Sequence, residues 1–320
     1  MGFNRENYKR IKEEYDGKYL RAAEQAQLKR AEIHTKISAV ALIDRELAGV
    51  GVKIFEASLS GDSQKLDAIY AENRRMIEKR KQLLMDAGYP ANYTDIKYEC
   101  AECGDTGVVE YRMCKCMREK LIKAGLESSG MYSLVMSQSF ENFDLDYYRG
   151  EGMDRMRAIY DIARNFAETF EPEKSGSILM LGSTGLGKTH LSSAIGKVVI
   201  EKGNDVYYTT SMGMFSDFEM SRFGNSTAME ATGVTEKYYT CDLLIIDDLG
   251  TEVINQFTTS CLYNVINMRL NRKKSTIINT NFNRDDMRKK YQDRITSRIF
   301  GEYKIFPFTG IDIREQKLLR

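Results

Sequence analysis

Eight consecutive residues, Gly182, Ser183, Thr184, Gly185, Leu186, Gly187, Lys188 and Thr189, fit the pattern G-x-x-x-x-G-K-[ST]. Glycines let such a loop curl so that successive backbone N–H groups converge on phosphate oxygens. Lys188 is then placed to reach the β- and γ-phosphates, and the Thr189 hydroxyl to hold Mg²⁺. His190, next in the chain, joins the nucleotide-binding candidates. About 60 residues further on, Asp247 and Asp248 follow the apolar run Leu243 to Ile246. Carboxylates at the C-terminal end of a buried strand stand where open α/β sheets bind ligands. Asp247 suits the hydration shell of Mg²⁺, and Asp248 suits orienting and deprotonating an attacking water. A third run, Thr276 to Phe282, ends in Thr280 and Asn281, which can hydrogen-bond the γ-phosphate or the water. Finally, Arg294 and Arg298 lie one helical turn apart. A planar, permanently charged guanidinium suits γ-phosphate charge, in its own chain or from a neighbouring subunit.

These groups need a scaffold. The run Ile178 to Leu181 reads as a buried strand ahead of the glycine loop. Leu191, Ile195 and Val199 recur at helical spacing after it, and the pattern stops near Gly203. Further strands are expected at Val206–Thr209, Leu243–Ile246, Thr276–Asn279 and Lys304–Phe308, with helical patterns between most of them. That alternation predicts a largely parallel sheet wrapped by helices over residues 151–320.

A different chemistry is written at Cys100, Cys103, Cys114 and Cys116, spaced C-x₂-C-x₁₀-C-x-C. Two thiolate pairs returned to one another by a hairpin can hold a tetrahedral Zn²⁺, and Gly104 and Gly107 supply tight turns. Val108 to Tyr111 reads as a strand within this module, residues 91–120. The single spacer in the second pair leaves room for one outside ligand, and a reduced cluster without metal is the alternative. Cys241 and Cys261 stand alone in apolar segments and read as core.

Residues 1–90 read as helices, with Tyr8, Ile11, Tyr15, Tyr19, Ile33, Ile37, Val40 and Leu47 at helical spacing. Breaks are expected at Gly49–Gly51 and Ser60–Asp62, with a third helix from Ser63 to Ala87. Residues 121–150 read as a linker. The 320-residue chain has a net charge of +1, so no global field draws it to nucleic acid. No apolar run approaches bilayer-spanning length, and no signal-peptide core begins the chain. A soluble, cytoplasmic protein without membrane partners is expected.

The order of glycine loop, Leu-Leu-Ile-Ile-Asp-Asp-Leu-Gly, Thr-Asn and Asp-Arg-x-x-Ser-Arg resembles the AAA+ ATPases. Within them it is similar to bacterial replicative helicase loaders of the DnaC/DnaI type and to the related IstB-like ATPases. The run Phe140 to Asp144 resembles the segment that leads into the loader core. A cysteine-rich module behind a helical region looks more like the DnaI-type loaders. The resemblance implies an AAA+ core with little or no C-terminal lid, since six residues follow Arg314, preceded by helices and a small zinc module. It implies ATP as ligand, Lys188 and Thr189 as Walker A, Asp247 and Asp248 as Walker B, Asn281 as sensor 1 and Arg314 as sensor 2. Arg298 resembles an arginine finger acting on ATP bound by the adjacent subunit. Many AAA+ proteins carry Asp-Glu where this chain has Asp247-Asp248, which implies slow hydrolysis. Implied partners are a hexameric replicative helicase, single-stranded DNA and further copies in an ATP-dependent oligomer, in a bacterial, nucleoid-associated setting. Between Arg269 and Arg298, ten Lys/Arg face three Asp/Glu, a basic stretch with Tyr291 beside it that suits a phosphate backbone and a stacked base. Two other functions stay open: an IstB-like ATPase assisting a transposase on DNA, and a zinc adaptor that binds ATP without turning it over.

Overall fold

The computed structural model describes residues 3–135, 137–223 and 235–318. The chain divides into two compact units, one joining Met1–Lys9 to Arg118–Arg320, the other Arg10–Met117.

Three long helices account for most of the Arg10–Met117 unit: α1 (Arg5–Lys36), which begins just before it, α2 (Ser38–Ser60) and α3 (Ser63–Asp86). The break falls at Ile37, not at Gly49–Gly51, which lie inside α2. Glycine weakens a helix by about 1 kcal/mol but does not end it, and α2 and α3 pack along their length. α2 stops at Gly61, whose φ of +69° closes the helix end. The Asp62 carboxylate then accepts from the Lys65 N–H and starts α3. Ile33, Val40 and Leu84 are buried together at one end of the helices. Beside them Arg80 donates to both Asp44 oxygens, at 2.5 and 3.2 Å, and to Thr94 at 2.8 Å. The strand expected at Val108–Tyr111 is instead a hairpin of β1 (Val108–Val109) and β2 (Arg112–Met113). Glu110 and Tyr111 have φ of 45° and 65°, the double left-handed turn that a two-residue hairpin requires.

The larger unit is built on a five-stranded parallel sheet of β3 (Ser177–Leu181), β4 (Val206–Thr210), β5 (Leu243–Leu249), β6 (Ser275–Thr280) and β7 (Tyr303–Pro307), in the order β4-β5-β6-β3-β7. All four pairings are parallel. Both faces are covered. One core layer joins Ile178, Met180, Leu243, Ile245 and Ile277 to the helix α4 (Lys188–Glu201) through Leu191, Ile195 and Val199. The other joins Leu179, Leu244, Ile246 and Ile278 to Leu262, Val265 and Ile266 on Gln256–Asn271, and to Ile295 and Ile299 on Asp293–Glu302. After β7 the described residues hold one short helix, Ile313–Leu318.

Residues 121–150 are a packed part of this unit, not a free linker. Phe140, Phe143 and Tyr148 are buried against Leu186 and Leu191, because their aromatic area is too large to leave in water. No helix among the described residues is long and apolar enough to cross a membrane.

Candidate functional site

The loop between β3 and α4 is shaped by left-handed glycines. Gly185 and Gly187 have φ of 77° and 87°, values that only glycine adopts without strain. Space is as tight as conformation: a methyl group at Gly185 would come within 1.9 Å of the Asp312 carboxylate. The Ile313 N–H donates to Gly185 O at 3.0 Å, so the chain after β7 lies directly on the loop.

A cleft of about 650 Å³ opens here. Its walls include Thr184, Gly185, Leu186, Gly187, Lys188, Thr189, His190, Asp248, Asn281 and Arg314. Of the residues singled out in the sequence, nine by type and spacing and Arg314 by resemblance, these ten converge. Gly182 and Ser183 sit at the base of the loop, where both carbonyls accept from Lys188 Nζ, at 2.6 and 2.7 Å. Asn281 Oδ1 accepts from the same ammonium at 2.9 Å. Burial pulls Lys188 down to about 8, against the opposing pull of Asp248 and Asp247, and Arg314 adds to the lowering. His190 lines the cleft, but its Nε2 is engaged by Ser139 O at 2.9 Å and Asn142 Oδ1 at 2.8 Å, and burial lowers its pKa.

The two aspartates are treated differently by the fold. Asp247 is buried, 2% exposed. Asp248 is the extra residue of a β-bulge: Ile246 and Leu249 both pack on the same side of the sheet, and the register shifts between them. Its φ of 54° is rare for a residue with a Cβ. Bulges re-aim side chains beside functional sites, and this one turns Asp248 into the cleft. Burial raises its pKa and Asp247 adds to that, while Lys188 and Arg314 oppose it.

Several expectations are corrected. Thr280 does not face the cleft; it is buried and its Oγ1 donates to Leu249 O at 2.6 Å. Tyr291, expected to stack a base, is 3% exposed and donates to Glu252. Arg269 is fully buried, with bonds to the carbonyls of Tyr238, Cys241 and Ser275, and Lys274 is paired with Asp242 at 2.8 Å. The exposed basic residues of that stretch are Arg272, Lys273, Arg284, Arg288, Lys289, Lys290 and Arg294. Arg298 is not in its own chain's cleft. It is half-buried, 5.4 Å above the Tyr263 ring, and donates to the Tyr263 hydroxyl at 3.2 Å.

Other cleft residues were not singled out by sequence. Phe143 stacks near Tyr148 and meets His190 edge-on, at 6.1 and 5.1 Å between ring centres. The Tyr148 hydroxyl donates to Leu186 O at 2.8 Å and so braces the loop. The aromatic run from Phe140 was the available signal. Asn279 was missed as well: it lies behind the cleft, fully buried in β6, where a polar side chain needs hydrogen-bond partners.

In the smaller unit the Sγ atoms of Cys100, Cys103, Cys114 and Cys116 all lie within 4.8 Å of one another. The Cys100–Cys114 and Cys103–Cys116 separations are 3.9 and 3.6 Å. Four sulfurs at ~2.3 Å from one tetrahedral ion lie about 3.8 Å apart. The buried Asp105 accepts the N–H groups of Glu99 and Cys100, at 2.9 and 2.8 Å, and shapes the first knuckle. A hydrogen-bonded environment, chiefly the Cys103 N–H, lowers Cys100 to about 7. The donor set and spacing fit zinc with no outside ligand.

Comparison with known proteins follows the same lines. Residues 119–300 match the model of the family described as IstB-like ATP binding protein. The chain is 28% identical over 174 residues to the replicative helicase loader DnaC of Buchnera aphidicola subsp. Schizaphis graminum, covering 54% of this chain and 68% of that protein. It is 29% identical over 171 residues to DnaC of Escherichia coli K12, covering 53% and 66%. A crystal structure of the DnaC helicase loader aligns at 24% identity and a TM-score of 0.45, over 53% of this chain and 98% of that one.

Proposed function

This chain belongs to the IstB-like ATP-binding protein family, and from that premise we propose that it is an ATP-switched loader that places a hexameric replicative helicase on single-stranded DNA. The observation that carries the reading is the division of the site: the phosphate loop, Asp248 and Asn281 share one cleft, while Arg298 lies outside it. A guanidinium that completes a neighbour's site must stand apart from its own. The similarity to DnaC proteins supports the loader role over other cargoes.

In this reading the loop N–H groups and Lys188 bind the triphosphate, with Lys188 exchanging loop carbonyls for phosphate oxygens. Asp248, held at the mouth of its bulge, takes the proton of the attacking water; its raised pKa suits a base. Asn281 orients the γ-phosphate or that water, and Arg314 adds positive charge over the phosphates. Thr189 and Asp247 would hold Mg²⁺, which neutralises phosphate charge. Arg298 of one copy would reach the nucleotide of the next, so ATP joins copies and hydrolysis parts them. The four cysteines would hold a structural zinc ion that ties the knuckle together and takes no part in hydrolysis. The helices before it would dock the helicase, and the exposed Arg272, Lys273, Arg288, Lys289 and Lys290 would follow the DNA backbone.

The test is helicase delivery. With the full-length chain, ATP and a hexameric replicative helicase from the same host, DNA unwinding should start faster, and Lys188→Ala should abolish the gain. Equal delivery by Lys188→Ala would refute the switch. The family description favours a second reading, an ATPase that assists a transposase on DNA. Retention of a transposase instead of a helicase by the immobilised full-length chain would select it.

A further inference from the structure

Strand alternation puts Tyr208 of β4, Asp247 of β5 and Asn279 of β6 on the face of the sheet that α4 covers. There they form one connected hydrogen-bond chain. The Tyr208 hydroxyl donates to Asp247 Oδ2 at 2.6 Å. Asn279 Nδ2 donates to Asp247 Oδ1 at 2.9 Å and to Ser192 Oγ at 2.8 Å. Ser192 Oγ in turn donates to Thr189 O at 3.1 Å. The Asp248 N–H completes the set on Asp247 Oδ1 at 3.0 Å.

A carboxylate 2% exposed is costly unless its charge is answered by donors. Asp247 has three, and the one on Oδ2 is the phenol. A phenol hydroxyl facing a carboxylate oxygen at 2.6 Å can only be the donor of that bond. The Asn279 amide has one workable orientation, because reversing it would set its carbonyl against the carboxylate. Its Oδ1 is left buried and without a partner, a cost the protein accepts to keep both N–H bonds in place. Tyr208 is itself fixed by its backbone, whose N–H donates to Ser129 O at 2.9 Å.

We propose that Tyr208 and Asn279 are positioning residues that clamp Asp247 and tie it to the Thr189 end of the phosphate loop, so that the two groups meant for magnesium keep one fixed spacing. This rests on the reading of Asp247 as the magnesium-shell carboxylate. Neither residue lines the cleft. Residues that orient groups around a metal change its affinity by roughly 10–100-fold when lost.

The experiment uses the full-length protein and Tyr208→Phe, which keeps the ring and removes only the hydroxyl. Fluorescent ATP binding is titrated with Mg²⁺, and in parallel the Mg²⁺ needed for half-maximal hydrolysis is measured. The expected result is about tenfold more Mg²⁺ for half effect, unchanged nucleotide affinity in EDTA, and recovery of turnover at saturating Mg²⁺. Asn279→Leu should shift the Mg²⁺ curve in the same direction. A purely space-filling tyrosine would leave that curve unmoved. An unchanged Mg²⁺ requirement in Tyr208→Phe, with a clear shift in Asp247→Asn, would overturn the clamp and leave the Asp247 reading standing. An unchanged requirement in Asp247→Asn would overturn both.

Discussion

The lowered pKa of Lys188 makes two measurable quantities move in opposite directions with pH. Lys188 titrates near 8 in the folded protein, against an ordinary value of 10.5, with burial as the main cause. If only the ammonium form grips the triphosphate, the apparent Kd scales as 1 + 10^(pH − pKa). The factor is about 1.1 at pH 7, about 2 at pH 8 and about 11 at pH 9, so affinity falls roughly tenfold over two units, or about 1.4 kcal/mol. Stability of the free protein goes the other way. Between pH ~8 and ~10.5 the unfolded chain binds more protons at this lysine than the folded one, so unfolding becomes harder as pH rises through that window. Fluorescent ATP anisotropy from pH 6.5 to 9.5 reads the first quantity, and thermal denaturation without nucleotide reads the second. Lys188→Arg, whose guanidinium does not titrate in this range, should flatten the binding curve. A flat Kd in the parental protein, or the same rise in Lys188→Arg, would refute the assignment.

Arg298→Ala should keep ATP affinity and lose about a thousandfold in phosphate release, as for a finger acting between subunits; unaltered turnover would place the finger elsewhere. The Cys100→Ser, Cys103→Ser double substitution should lower zinc per chain, measured by elemental analysis, to near zero, and an unchanged content would end the metal assignment. Arg269→Met should cost about 3 kcal/mol or more in urea unfolding, because three buried carbonyls lose their donor; a change below about 1 kcal/mol would mean that water replaces the guanidinium.

The strands were legible because each is a short apolar run followed by turn residues, and the loop because its pattern has few substitutes. Boundaries shifted by one to three residues where polar residues continue a strand, as Asp247 and Asp248 do in β5. What sequence could not supply was the direction of a side chain. Arg269 counts as one more surface charge until the fold shows it bonded to Tyr238, Cys241 and Ser275. Tyr291 likewise reads as a stacking aromatic until its hydroxyl is found on Glu252. The alternation rule would have aimed Asp248 away from Asp247's neighbours, and a bulge is invisible to periodicity. Phe143 and Tyr148 reach the phosphate loop from some 40 positions upstream, a distance no local pattern spans.

The phosphate-binding motif treats its four middle positions as wild cards, yet one of them is not free in this fold. Asp312 leaves no volume for a Cβ at Gly185, and the two positions are 127 residues apart in the chain. Relatives that carry a bulkier residue at the equivalent of Gly185 are therefore expected to carry Gly, Ala or Ser at the equivalent of Asp312, or to route the chain after the last strand differently. A side chain at position 185 should disable the loop beside Asp312, and a small residue at 312 should restore it only in part, because a φ of 77° strains any residue with a Cβ.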